Sequence, residues 1–258
     1  MPEYYDRIMG PAQFERFADD LVRRLPAEPG HAVLELACGT GIVTQRLRQH
    51  LGQSVRLVAT DISEAMLDYA RAKVAGDIEW RTADAAALPF AEREFGDVVC
   101  AFGVMFVPDK ERLFAEARRV LCEGGVLLFN VWDGLENNAH GRAADEALEE
   151  VFPNEPSMKF GAMPYEFNDR SRIASMLVRA RFGEPRMEAL RLQCGAPSAR
   201  EFATGQLRGT PRGALIEQRG AKLDGVIERL AQKLARIGGR EPFVYTAQAL
   251  VVEARAVP

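Results

Sequence analysis

The stretch ELACGTG, Glu35-Leu36-Ala37-Cys38-Gly39-Thr40-Gly41, decides the fold. The run AVLEL at 32–36 has the character of a short buried strand, and residues 42–51 carry the spacing of a helix. Gly39 and Gly41 permit a tight turn between the two and keep side chains away from a ligand that approaches the backbone. The helix that follows offers free N–H groups and a partial positive charge. In an open α/β sheet, ligands sit beyond the carboxyl ends of the strands. A cofactor is therefore expected at this turn, the alternative being a glycine turn that serves packing alone.

Outward from the turn the chain alternates. Strands are expected at 55–59, 78–82, 97–102 and 126–132. Helices are expected at 63–74, capped by Ser63, and at 109–121, closed by Gly124-Gly125. Strands and helices at these spacings predict an α/β fold, a doubly wound Rossmann-like sheet that is mostly parallel and covered on both faces. Upstream, 11–25 reads as a helix with Pro11 in its first turn, broken by PAEPG at 26–30. Beyond 134 the pattern changes. Residues 134–168 mix Asn, Pro, Gly and aromatics around a short helical piece at 142–151. A helix at 171–181 and a strand at 187–192 follow. A helical region at 198–237, whose longest piece opens at Thr210-Pro211, leads to a last strand at 244–253. One domain, 1–258, is expected, with a helical segment at 1–29, a cofactor-binding half at 30–134 and lid insertions at 135–168 and 196–242.

The residues at the strand ends narrow the cofactor. A dinucleotide site wants G-x-G-x-x-G, but here the third position is Thr44. Glu35, an acid close to the turn, would repel a pyrophosphate and favour a cofactor carrying ammonium and sulfonium charges. Both features point from NAD toward S-adenosylmethionine. Asp61 ends the next strand 20 residues beyond Gly41, where a carboxylate can accept both ribose hydroxyls; as a helix N-terminal acid it has a purely structural alternative. Asp84, after the third strand, suits an adenine amine, with Ala85 and Ala86 leaving room for the ring, or is an ordinary loop acid. At the fourth strand end, 101–106 (AFGVMF), carbonyls could receive the cofactor's ammonium.

Bulk properties exclude other classes. The formal net charge of −4 lacks the basic excess of a phosphate-backbone binder, so nucleic acid is not expected as a partner. Cys38, Cys100, Cys122 and Cys194 form no CxxC pair and no zinc spacing, which predicts reduced thiols, no metal and a cytoplasmic setting. No basic start with an apolar run opens the chain, and no apolar stretch approaches the ~20 residues that span a bilayer.

The ordered segments ELACGTG, ATDIS with Met66 following, TADAAALPF, FGDVVCAFGVMFVPD and RRVLCEGGVLLFNVWD resemble the successive motifs of class I methyltransferases of the type 11, ubiquinone/menaquinone-biosynthesis-like group. The resemblance covers about residues 30–134. It implies S-adenosylmethionine as cofactor and a seven-stranded sheet whose last strand, near 244–253, runs antiparallel. It also implies roles. Glu35, Ala37, Gly39 and Gly41 would surround the methionine part, with Cys38 and Thr40 as variants on the turn. Asp61 would hold the ribose. Ile62 and Met66 would flank the ribose or adenine, and Asp84 and Ala85 would border the adenine. Ala101, Phe102 and Gly103 would line the methionine end. The two insertions resemble the lids of small-molecule methyltransferases.

Methyl transfer is an in-line displacement, so the protein mainly orients the nucleophile and excludes water. A base is needed only when the acceptor must lose a proton. His140 is the candidate, in a polar loop where a solvated histidine is the plainer alternative. Asp133, Tyr4, Tyr5 and Tyr165 are further hydrogen-bonding groups, and His31 and His50 read as element-end surface residues. Trp132, Leu135, Phe152, Met158, Phe160, Met163, Tyr165 and Phe167 suggest a pocket with an apolar or aromatic wall, or else simple packing. Arg142, Lys159, Arg200 and Arg208 could meet an acidic acceptor or a solvated face. The partner expected is a small-molecule methyl acceptor, with a homodimer left open. An NAD-dependent oxidoreductase, a non-catalytic binding module with a methyltransferase fold, and a protein or RNA methyltransferase are the rival readings; the acidic balance disfavours RNA, and the two insertions suggest an enclosed site.

Overall fold

A computed structural model of the chain describes residues 1–26, 32–153, 155 and 163–258. Residues 27–30 of the expected PAEPG break, together with His31, Met158, Lys159 and Phe160, lie outside the described residues. The chain divides into two compact units. One, the sheet unit, comprises Ala18–Trp132, Phe167–Leu190 and Ala249–Pro258; the other, the helical unit, comprises Met1–Phe17, Asp133–Glu166 and Arg191–Gln248.

The strands are β1 (Ala32–Glu35), β2 (Leu57–Asp61), β3 (Glu79–Thr82), β4 (Phe95–Ala101), β5 (Leu121–Trp132), β6 (Arg186–Ala196) and β7 (Phe243–Arg255), in the sheet order β3-β2-β1-β4-β5-β7-β6. Pairings from β3 to β5 are parallel, and β7 is antiparallel to β5, as expected. The connecting helices are α3 (Ile42–His50), α4 (Glu64–Lys73), α5 (Lys110–Val120) and α7 (Arg170–Arg179). β1 is central and pairs with both β2 and β4, which puts Glu35 beside Ala59 on one side and Val99 on the other. Leu34, Val98, Val99, Leu127 and Phe129 have no exposed surface; burying each such side chain contributes about 1.5–3 kcal/mol.

In the helical unit, α1 (Pro2–Tyr4) runs into a π-helical stretch (Tyr5–Phe14), and α2 (Glu15–Arg23) carries the chain into the sheet unit. The helix expected to open at Pro11 thus opens at Pro2, which suits a first turn, while Pro11 lies inside. The wider π turn tolerates a residue with no N–H to donate. The unit continues with α6 (Ala139–Val151), α8 (Ala199–Arg208), α9 (Arg212–Gln218) and α10 (Leu223–Gly238). The longest of these opens at Leu223 rather than at Pro211, because Gly220, at φ +80°, ends α9. Val226, Ile227, Leu230 and Leu234 form the buried stripe of α10, packed on α6 and α8. Two further expectations shift. β5 begins at Leu121, straight after α5, and Gly124-Gly125 sits in its irregular start rather than closing the helix. Gly125 is required there, since a Cβ would lie 2.6 Å from Gly96 O.

Candidate active site

The glycine turn, 36–41, is tied to the neighbouring strand ends by short bonds. The Gly39 N–H donates to Asp61 Oδ2 at 2.8 Å, and the Cys38 N–H to Thr60 O at 2.9 Å. The Ala83 N–H donates to Asp61 O at 3.0 Å, joining the end of β3. On the other side Leu36 N–H reaches Val99 O at 2.8 Å. A Cβ on Gly103 would stand 2.5 Å from Ala37 Cβ and 2.7 Å from Cys100 Sγ, so the β4 end can touch the turn only with glycine there. Four strand ends therefore meet around one patch.

The backbone at this patch is unusual. Ala37 (φ 53°) and Phe102 (φ 52°) are non-glycine residues in the left-handed region, beside Gly39 (φ 55°) and Gly41 (φ 78°). Such conformations persist only where the surroundings enforce them, and they concentrate at functional sites. One enforcing residue escaped the sequence reading. Asn130 is fully buried in β5, and both its carbonyl oxygen and its Oδ1 accept the Phe102 N–H, at 3.1 and 2.9 Å. A lone Asn inside VLLFNVW was the available signal. Phe102 in turn stacks on Trp132 at 4.1 Å between ring centroids.

Each expected site residue has a definite place. Glu35 is 1% exposed, and its Oε2 has no hydrogen-bond partner among the described residues. Burial, reinforced by the charge of Asp61, pushes its carboxyl up to about 8. Asp61 is 9% exposed and ties down the turn through Gly39 and the start of α4 through the Ser63 N–H, at 2.8 Å. Ser63 precedes α4 as expected, but its own side chain makes no capping bond. Cys38 turns its side chain inward against Ala59, Leu67, Ile78 and Trp80, and burial raises its thiol well above the usual value. Thr40 is buried, with Oγ1 unpartnered among the described residues. Ile62 is exposed, unusual for a large apolar side chain beside a helix start, while Met66, Ala85 and Ala101 are half-buried. Asp84 is exposed and accepts the Ala86 N–H at 2.8 Å.

These features fit S-adenosylmethionine. No atom lies within 4 Å of where a Gly39 Cβ would stand. The orphaned carboxylate oxygen of Glu35 suits a cation, and Asp61 holds its carboxylate at the neighbouring strand end. Thr44, fully buried, occupies the position a dinucleotide turn reserves for glycine.

Residues 33–125 match the family described as "Methyltransferase domain". The match supports reading these residues as a class I, S-adenosylmethionine-dependent methyltransferase domain. Among curated relatives, the ubiquinone/menaquinone biosynthesis C-methyltransferase UbiE of Saccharophagus degradans is 36% identical over 129 residues, covering 48% of this chain and 52% of that protein. The UbiE of Klebsiella pneumoniae subsp. pneumoniae is 38% identical over 104 residues, covering 38% and 41%. The chain thus spans about half, or less, of the length of these relatives. Among solved structures, phosphoethanolamine N-methyltransferase 2 of Haemonchus contortus, in complex with S-adenosylhomocysteine, superposes with TM-score 0.62 at 18% identity, over 100% of this chain and 57% of that one. A methyltransferase of Thermotoga maritima superposes with TM-score 0.57 at 18% identity, over 98% and 94%. At such identities the structures speak for the fold alone.

His140 is the candidate base. It belongs to the helical unit, on α6 rather than in a loop, and is fully buried. Its Nε2 is 3.1 Å from the Tyr165 hydroxyl, and its ring lies 4.7 Å from that of Tyr245 and 6.1 Å from that of Phe202. Burial lowers its pKa to about 3. His50 ends α3 half-buried, 3.1 Å from Leu25 O. Among the described residues no helix is long and apolar enough to cross a membrane.

Proposed function

We propose that this protein transfers the methyl group of S-adenosylmethionine to a small molecule with an apolar or aromatic body. The observation that carries the reading is the joining of the glycine turn to Asp61, whose two carboxylate oxygens bond the Gly39 and Ser63 N–H groups. That bonding fixes the carboxylate and leaves lone pairs to accept the ribose hydroxyls. Glu35 attracts the cationic end. Ile62 flanks the nucleoside, and Asp84 and Ala85 border the base. The cofactor, when bound, supplies an electrophilic methyl group on a sulfonium. The chain's contribution is to hold that group in line with the acceptor and to keep water out.

The preference for an apolar acceptor is supported by the stacked Phe102 and Trp132 at the ends of β4 and β5, and by Phe106, which is exposed shortly after Gly103. We assign acceptor recognition to 135–168, which carries Phe152, Tyr165 and Phe167, and to 196–242, which carries Phe202. If the acceptor must lose a proton, His140 is the group assigned to accept it. It is neutral at pH 7, though its lowered pKa gives it little driving force as a base. Activity should then show no histidine limb near pH 6.5.

Calorimetric titration tests the reading. S-adenosylhomocysteine should bind with a Kd of about 1–100 μM, and NAD should give no heat. Binding of NAD without S-adenosylhomocysteine would replace the proposal with the oxidoreductase reading. Cofactor binding without turnover on any of a broad panel of phenols, quinols and amines would favour a binding module.

A further inference from the structure

We propose that a pocket on the sheet unit, at the starts of α5 and α7, binds a phosphate-type oxyanion. The pocket has a volume of about 430 Å³ and is lined by Pro108, Asp109, Lys110, Glu111, Arg172 and Met176. Its cations are arranged around one ring. Lys110 Nζ lies 5.0 Å and Arg172 Cζ 5.8 Å from the ring centre of the buried Phe167. The ring attracts both, but a quadrupole supplies no counter-charge.

The acids on the pocket are already engaged. Asp109 Oδ1 accepts the Arg112 N–H at 2.9 Å, capping α5. Glu111 pairs with Arg179 at 2.7 Å. Asp169, which precedes α7, accepts the Arg172 N–H at 3.0 Å. Lys110 Nζ donates to Val107 O at 2.9 Å, which anchors its stem and leaves further N–H groups. Among the described residues, neither Lys110 nor Arg172 forms an ion pair. Two like charges are thus held near one another, and burial followed by the charge of Arg172 lowers the Lys110 pKa. An anion between them would relieve that repulsion. A phosphate suits the pair, because its several oxygens can meet the planar Arg fork and the compact Lys ammonium together. Met176 adds apolar lining for whatever bears the phosphate.

The site is separate from Glu35, Asp61 and Asp84. It follows the β4 end by a single 3₁₀ turn, Val104–Phe106, and so lies on the rim where the strands end. The phosphate is either free or borne by an organic molecule, and the test separates these. The full chain is titrated calorimetrically, in a phosphate-free buffer at about 0.15 M salt, with inorganic phosphate and with phenyl phosphate. Both probes should bind at one site. Lys110→Met and Arg172→Met should each weaken binding by about tenfold or more. Lys110→Arg should retain most of it, and S-adenosylhomocysteine affinity should be unchanged in all three variants. Tighter binding of phenyl phosphate identifies an organic phosphate, and equal binding identifies the free anion. No heat from either probe at about 10 mM, or equal affinity in wild type and both Met variants, would overturn the proposal.

Discussion

Two fully buried titratable groups, one in each unit, have met opposite fates. Glu35 sits under the glycine turn with Oε2 unpartnered among the described residues, and its carboxyl is pushed up to about 8. His140 sits in an aromatic cluster against Tyr165 and Tyr245 and is pushed down to about 3. Burial favours the neutral form of both. The difference lies in the surroundings. Glu35 stands next to a second carboxylate, at the meeting of strand ends with left-handed backbone and an open glycine. His140 is enclosed by rings. The first environment is prepared for a cation, the second for a neutral hydrogen bond.

The largest effects should separate the units by paired glycine substitutions. Gly103→Ala forces a Cβ to 2.5 Å from Ala37 Cβ, and Gly141→Ala forces one to 2.6 Å from the Tyr165 ring. Each should cost about 1–3 kcal/mol of stability by overpacking, read as a lowered Tm. Only Gly103→Ala should also weaken S-adenosylhomocysteine binding. Equal binding losses in both would show that the cofactor patch is not confined to the sheet unit's strand ends. Asp61→Ala should weaken the same ligand by about 1–3 kcal/mol, through lost charge-assisted bonds to the ribose. It also frees the Gly39 N–H, so a calorimetric loss smaller than this range would remove Asp61 from the ribose role.

How much of this was legible in the sequence follows the same division. In the sheet unit, glycines, strand-end acids and continuous apolar runs are local signals, and they located the turn and the strand end at Asp61, while the antiparallel direction of the last strand came from the family resemblance. What escaped there depends on tertiary contact. Nothing in the spacing tells that Asn130 will hold Phe102 or that Ala37 must adopt a left-handed φ. In the helical unit the signals are weaker. Pro11 was read as a helix start because prolines usually open helices, and only the π-helical stretch around it makes an interior position tolerable. His140 looked solvated because Asn137, Asn138 and Arg142 surround it in sequence. The rings that bury it come from Tyr165, Phe202 and Tyr245, far along the chain.

A smaller effect sharpens the comparison through pH. Glu35 has a folded pKa raised from 4.5 to about 8, so the stability it contributes is full below 4.5 and lost as pH rises through 8. A bound cation favours the carboxylate, so binding expels a proton at any pH below that value. S-adenosylmethionine affinity should therefore rise with pH and level off near 8, by at most about tenfold per unit. Glu35→Gln should flatten the dependence. A flat profile in the unmodified protein would mean that Glu35 is already ionised or faces no cation.

The histidine supplies the reverse case, with the smallest slope near neutrality. Its folded pKa is depressed from 6.5 to about 3, so its contribution is intact above 6.5 and lost as pH falls toward 3, while the unfolded chain takes up the proton. Stability measured by urea unfolding should fall by roughly 1 kcal/mol per pH unit below 6 from this residue alone. His140→Gln should remove that slope while keeping a hydrogen-bonding group near Tyr165. Were the slope to persist in His140→Gln, the acid sensitivity would belong to other groups. The imidazole would then have to be protonated near its ordinary pH, which would restore it as an effective base and return the helical unit to the chemistry of the reaction.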